Sequence, residues 1–332
     1  MKRWRNKLVA LILLGSGLWC AAQAPTQPGV GPVLLETKDG QVQGRLLRLD
    51  KDMLWVNKAT ADGGAFEAGI PVADIKTIRM GAPRVFAAAD LAGNEDQFRL
   101  VHEGLDRLIL SLKPFRGLPG IPMDEAILRK GQLYARQGLW REALRQYEDI
   151  LQQSYECEQK TAARLRAGIA CELSGDPGAA LKYLESAVLP EDDEELLSTA
   201  LFSRASALAA AGRHEDALMD YLRLVVFYPF VQNNEIRGLE AAVACYAEIK
   251  DWESLYKTVQ WLRQEYPSAR EMRNVEEILQ DHRQQMEEAG TVMDDGAATP
   301  GATNAPAAEQ GMPATTGSPP AGAATTEDMK AD

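Results

Sequence analysis

Three histidines, four cysteines and the acidic run EDDEELL (191–197) have the best claim to chemistry in this sequence. His102, His214 and His282 are far apart, and none has a second ligand at the spacing a metal site on one helix needs. The acidic run lacks the alternating oxygen ligands and central glycine of a calcium loop. It reads instead as a helix start, where carboxylates are favoured by the helix dipole. Cys157 and Cys171 fall in what reads as one helix, where fourteen residues rise roughly 21 Å, too far for a disulfide. With Cys245 they read as buried thiols acting as small hydrophobes. No Gly-rich phosphate loop, nucleophile elbow or paired-cysteine motif occurs. The sequence therefore predicts no catalytic residue, no cofactor and no metal, and points to a non-enzyme.

The chain ends differ from its middle. MKRWRNK is basic, LVALILLGSGL is apolar, and WCAAQA supplies small residues for cleavage. This reads as a signal peptide over 1–22, cut after Ala22 and too short to span a bilayer, followed by a linker over 23–32. Trp19 is too bulky for the residue before a lipidated cysteine, so Cys20 reads as part of the leader. The mature chain is expected to be exported, periplasmic or envelope-associated, with no integral membrane span. Losing Lys2, Arg3, Arg5 and Lys7 takes the net charge from −12 to −16. Residues 33–80 balance seven acids with seven bases, whereas 123–288 carry thirty acids and nineteen bases, a net −11. Such a surface argues against nucleic acid or anionic lipid as a partner. Residues 289–332 are dominated by Ala, Thr, Pro and Gly and predict a disordered tail.

The elements between are repetitive. GLWREALRQYEDILQQSY, GDPGAALKYLESAVLPED, GRHEDALMDYLRLVVFYP and KDWESLYKTVQWLRQEYP begin at Gly138, Gly175, Gly212 and Lys250, at intervals of 37, 37 and 38 residues. Each follows a first helix, so each copy is a helix, a tight turn and a second helix. Small residues recur in the first helices at Gly131, Gly168, Ala205 and Val243, and in the second at Ala143, Ala180, Ala217 and Leu255. Larger ones recur at Tyr147, Leu184, Tyr221 and Val259. Small residues let helices approach while large ones fill the grooves between them. One pair cannot bury its apolar faces alone, so the copies must stack into a solenoid. Val243 and Leu255 are bulky for their positions, which predicts irregular packing in the last copy. His214 falls where the other copies have Trp140, Pro177 and Trp252, and reads as a packing substitute.

These residues resemble the tetratricopeptide repeat over 123–288, with EMRNVEEILQDHRQQMEE (271–288) as a capping helix. The period and the FYP and EYPSAR endings are similar to envelope members of that family, those linked to the Tol–Pal machinery and to outer-membrane protein assembly. The resemblance implies a concave partner-binding face lined by first helices. Carried over position by position, it assigns Glu125, Leu128, Gln132 and Arg136, then Leu165, Ile169 and Glu172, then Phe202 and Ser206, and finally Arg237, Glu240 and Glu248. Leu128 and Gln132 stand where a Lys/Asn clamp for a C-terminal carboxylate would be.

Residues 33–80 change period to short strands, with a hairpin signal at Asp39-Gly40 and a strand glycine, Gly44, suited to a sharp bend. This predicts a small SH3-like or Sm-like β-barrel. DGQVQGRLLRLDKDML is similar to the first half of the Sm motif, but Leu54 replaces the asparagine that contacts RNA. Between barrel and array, 84–122 holds connecting helices, one over Glu95 to Leu112, and a loop, FRGLPGIP, expected to be extended. The expected class is a mainly α, non-catalytic interaction adaptor of the bacterial envelope. Its partners would be envelope proteins or exported polypeptides. A self-assembling structural protein and a periplasmic chaperone are the alternatives.

Overall fold

A computed structural model describes residues 31–60, 63–187 and 193–291. The expected signal peptide, nearly all of the linker and the tail beyond Thr291 lie outside these described residues.

Alternating apolar residues build the first unit. Strands β1 (Val33–Thr37), β2 (Gly40–Asp50), β3 (Met53–Ala59), β4 (Ala65–Pro71) and β5 (Ile75–Met80) form an antiparallel sheet in the order β4-β3-β2-β1-β5. A 3-10 turn over Val72–Asp74 joins β4 to β5, giving the connectivity of an SH3-like barrel. Strand β2 serves both halves: Gly40–Gly44 pairs with β1 and Arg45–Asp50 with β3, with a bulge between Leu46 and Arg48. Gly44 sits at the changeover, where a Cβ would lie 2.7 Å from the Asn57 carbonyl oxygen. Leu35, Leu54, Val56 and Ile78 fill the interior.

Helices α1 (Arg84–Leu91) and α2 (Glu95–Leu112) follow. Asn94 caps α2 by accepting from the Gln97 amide (3.0 Å), and Pro114 follows its last turn. The pair packs on the first repeat through Val101, Leu105, Ala126 and Leu133. Within this contact Gln137 Nε2 lies 2.9 Å from His102 Nε2, and the His102 and Tyr134 rings are 4.3 Å apart. The amide donates, so the imidazole proton sits on Nδ1, which is buried without a partner. Burial, reinforced by Lys130 and opposed by Asp106, holds the His102 pKa below 6.5. The unfolded chain therefore binds this proton more readily than the folded one. Stability from this site is complete above pH 6.5 and falls as pH drops toward the folded pKa. Replacing His102 with Gln is expected to flatten the loss of stability between pH 6.5 and 5, measured by urea unfolding. An unchanged slope would contradict this.

Four helix pairs then stack: α3 (Met123–Arg136) with α4 (Trp140–Leu151), α5 (Gln159–Leu173) with α6 (Pro177–Leu184), α7 (Glu194–Ala210) with α8 (His214–Phe227), and α9 (Asn234–Ile249) with α10 (Trp252–Glu265). The predicted cap is two helices, α11 (Met272–Asp281) and α12 (Arg283–Glu288). Gly138, Gly175 and Gly212 turn between paired helices with φ of 72°, 85° and 77°, and Lys250 does so at 61°. The next amide in each turn donates to Tyr134, Cys171, Leu208 or Tyr246, five residues back. All four are the same left-handed helix stop, which satisfies carbonyls the helix leaves free.

The small and large positions meet. A Cβ on Gly131 would lie 2.4 Å from Tyr147 Cε1, and one on Gly168 2.4 Å from Leu184 Cγ. Down the array the partners are Gly/Tyr, Gly/Leu, Ala/Tyr and Val/Val, always sixteen residues apart. In the last pair a larger first residue meets a smaller second one, and Val243 and Val259 are both fully buried.

Residues 115–122 are not extended. Leu118 and Ile121 close successive turns on Phe115 and Leu118, with Gly117 and Gly120 left-handed at φ 87° and 85°. Phe115 and Leu118 thereby enter the barrel core, and the Ile78 amide donates to Pro119 (2.9 Å). Between them Arg116 points the other way, into the first repeat. It pairs with Asp124 (2.7 Å) and Asp149 (3.1 Å) and donates to Tyr155 (3.1 Å). Burial works against the Arg116 charge, but hydrogen bonds to Asp149, Asp124 and Tyr155 hold its pKa above the ordinary value. This strap fastens the barrel to the array.

Candidate partner-binding groove

Helices α3, α5, α7 and α9 bear the positions assigned to the concave face, and their side chains meet from repeat to repeat. Gln159 donates to Glu125 (3.4 Å), Ser206 to Glu172 (2.7 Å) and Asn274 to Glu240 (2.8 Å). The Gln132 amide, turned so that its oxygen faces the guanidinium, accepts from Arg166 Nε (3.1 Å) and Nη2 (3.0 Å). Each pair is separated by 34 residues, one helical turn less than the 37-residue period. In the third and fourth repeats Arg237 lies 4.3 Å over the Phe202 ring, which meets Tyr221 edge-on at 5.4 Å. Glu248 stands exposed near the end of α9.

Between the first and third repeats the surface opens into a hollow of about 610 Å³. Of the residues assigned from sequence, Gln132, Arg136 and Ile169 line it. Leu128 and Leu165 do not face a partner: they are 7% and 0% exposed and belong to the packed interior. A helix turns about 100° per residue, so the α5 stripe reaching the hollow is Arg166, Ile169 and Leu173. The sequence reading missed Arg166, Leu173, Trp140, Thr199 and Gln232. The i, i+3, i+7 spacing of Arg166, Ile169 and Leu173 was the available signal. Tyr147 forms part of the floor, its pKa pushed up to about 12 by burial, with Arg166 pulling it down.

The other chemistry-bearing residues stay scattered. His214 opens α8 and His282 sits between α11 and α12, 5.6 Å from the Trp252 ring. Asp193 caps α7, accepting from the Leu196 amide (2.9 Å), with Glu194 and Glu195 in the first turn. Cys157 precedes α5 rather than sharing it, because the helix starts at Gln159. Burial pushes the Cys171 and Cys245 thiols up to about 11. No group of three His, Cys, Asp or Glu side chains is placed to hold a metal ion among the described residues, and no described helix is long and apolar enough to cross a membrane.

Residues 128–195 match the tetratricopeptide repeat family. With the stacked helix pairs, this supports a tetratricopeptide-repeat protein, a fold that implies a protein-interaction scaffold and whose members are generally non-catalytic. No curated protein matches the chain in sequence. The solved structures that match include the following two. The MamA protein is 15% identical, with a TM-score of 0.40, over 65% of this chain and 96% of that one. The P58(IPK) TPR domain is 16% identical, with a TM-score of 0.25, over 61% of this chain and 59% of that one.

Proposed function

We propose that the chain is an exported adaptor of the bacterial cell envelope that seats a partner polypeptide in the hollow between its first and third repeats. The observation that carries this reading is the hollow itself, formed by α3, α5 and α7 with apolar Ile169 and Leu173 on its surface. The basic, apolar and small-residue succession at the start of the sequence supports export. The repeat period and the Tyr-Pro endings support an envelope role.

A photo-crosslinking residue at Thr199, with another at Arg141 on α4 as control, tests it in intact source cells. Recovery of one or two envelope proteins from the Thr199 site, and not from the Arg141 site, is the expected result. Recovery of many unrelated exported chains would replace the adaptor with a chaperone. Self-assembly has its own supporting observation: Val226, Phe227 and Phe230 expose 67%, 68% and 93% of their surface at one end of α8 and the loop beyond it. Crosslinks only between copies, with a salt-insensitive oligomer by light scattering, would favour that reading.

A further inference from the structure

The charges around the hollow are sorted. Arg136 and Arg166 lie on the side formed by α3 and α5, and Asp193 and Glu195 on the side formed by the start of α7. Elsewhere Arg116 is matched to Asp124 and Arg204 to Asp220. Arg136 and Arg166 are not so matched. Arg136 donates to the Ala89 and Asp90 carbonyls and Arg166 to the Gln132 amide oxygen, all neutral acceptors. Asp193 and Glu195 likewise face backbone and amide donors, from Leu196 and Gln232. Two positive and two negative charges thus border one hollow without an ion-pair partner among the described residues, together with the apolar Ile169 and Leu173.

We infer that the hollow selects a segment of mixed charge: an acidic residue at one end for Arg136 and Arg166, a basic residue at the other for Asp193 and Glu195, and an aliphatic residue for Ile169 and Leu173. The inference rests on the groove reading above and adds the chemistry of its occupant. A uniformly acidic or basic segment gains on one side and is repelled on the other, so the arrangement discriminates by repulsion as well as attraction. It also fixes which way the segment lies.

The test uses the exported chain and four acetylated, amidated octapeptides: Glu-Glu-Ala-Leu-Leu-Ala-Lys-Lys, its reverse, and the versions with four Glu or four Lys. Binding is read by isothermal titration calorimetry in low salt. One mixed peptide is expected to bind about tenfold tighter than either uniform one. Arg166→Glu and, independently, Glu195→Lys should remove that preference, and Thr199→Trp should block binding. Circular dichroism confirms that each variant folds. If all four peptides bind alike and Thr199→Trp blocks them all, the groove reading stands and the mixed-charge inference is overturned. No binding, or binding indifferent to Thr199→Trp, overturns both.

Discussion

Arg116→Met is expected to lower the unfolding free energy by about 3 kcal/mol, the lower end of the cost of breaking a buried ion pair. The guanidinium is 16% exposed and Asp124 8%, so losing it leaves a carboxylate with almost no access to water. Tyr155, which donates to Asp124, cannot neutralise that charge, because burial first and this hydrogen bond second push the phenol up to about 12. Methionine keeps most of the aliphatic stem, so the loss is electrostatic rather than volumetric. Arg116→Lys should recover part of the stability but not all, since one ammonium cannot replace a fork that reaches Asp124, Asp149 and Tyr155 together. Guanidinium unfolding and hydrogen exchange supply the readout. Amides of β5 and the start of α3 should lose protection together, because Phe115 and Leu118 are held in the barrel by the residue between them. A change under about 1 kcal/mol, the size of an exposed pair, would sink the idea that the strap depends on Arg116.

Gly168→Leu should cost a similar amount, about 3 kcal/mol, at the upper end for overpacking a core. A single Cβ there already meets Leu184 Cγ at 2.4 Å, at the branch point of a side chain with no room to rotate away. The better helix propensity of leucine returns less than about 1 kcal/mol. The informative variant is the exchange, Gly168→Leu with Leu184→Ala. If total volume across the pair is what the repeat conserves, the double variant should come within about 1.5 kcal/mol of the parent. Additive losses in this double-mutant cycle would show instead that the glycine serves some other need.

The pairing of small with large residues also marks what was legible in the sequence. The strands, the four turns and the helix pairs follow from local chemistry: alternation in VLLET and MLWVNKA, glycines that accept positive φ, and small residues one helix pair apart. Val243 looked like a defect because it was judged alone. Beside Val259, smaller than the Tyr or Leu of the other copies, it is fully buried. The strap was not legible, because Ile78, Asp149 and Tyr155 become neighbours of 115–120 only after both barrel and array have formed. The groove was half legible. Gln132, Arg136 and Ile169 follow from the pattern, but Leu165 was placed one residue out of phase, and on a helix that error turns a lining residue into a core one. Asp193 and Glu195 were read, rightly, as a helix start. Their second neighbourhood, across the hollow from Arg166, depends on how far each repeat is shifted against the last.

That shift has a geometric consequence. The 34-residue pairing slides each first helix about one turn toward its C-terminus relative to its predecessor, and the hollow drifts the other way. It takes the last turn of α3 around Arg136, the second half of α5 around Ile169, and the first turns of α7 around Thr199. With residues 34 apart lying side by side, Ile169 is level with position 135 of α3 and Thr199 with position 131. The lining thus retreats from Arg136 by about five residues over two steps, or roughly 8 Å along the helix axes, while the helices advance sideways by about 20 Å. The track is therefore mildly oblique, at about 20° to the direction of stacking. A bound segment would sample a diagonal of the array, so equivalent positions in successive repeats do not share a role.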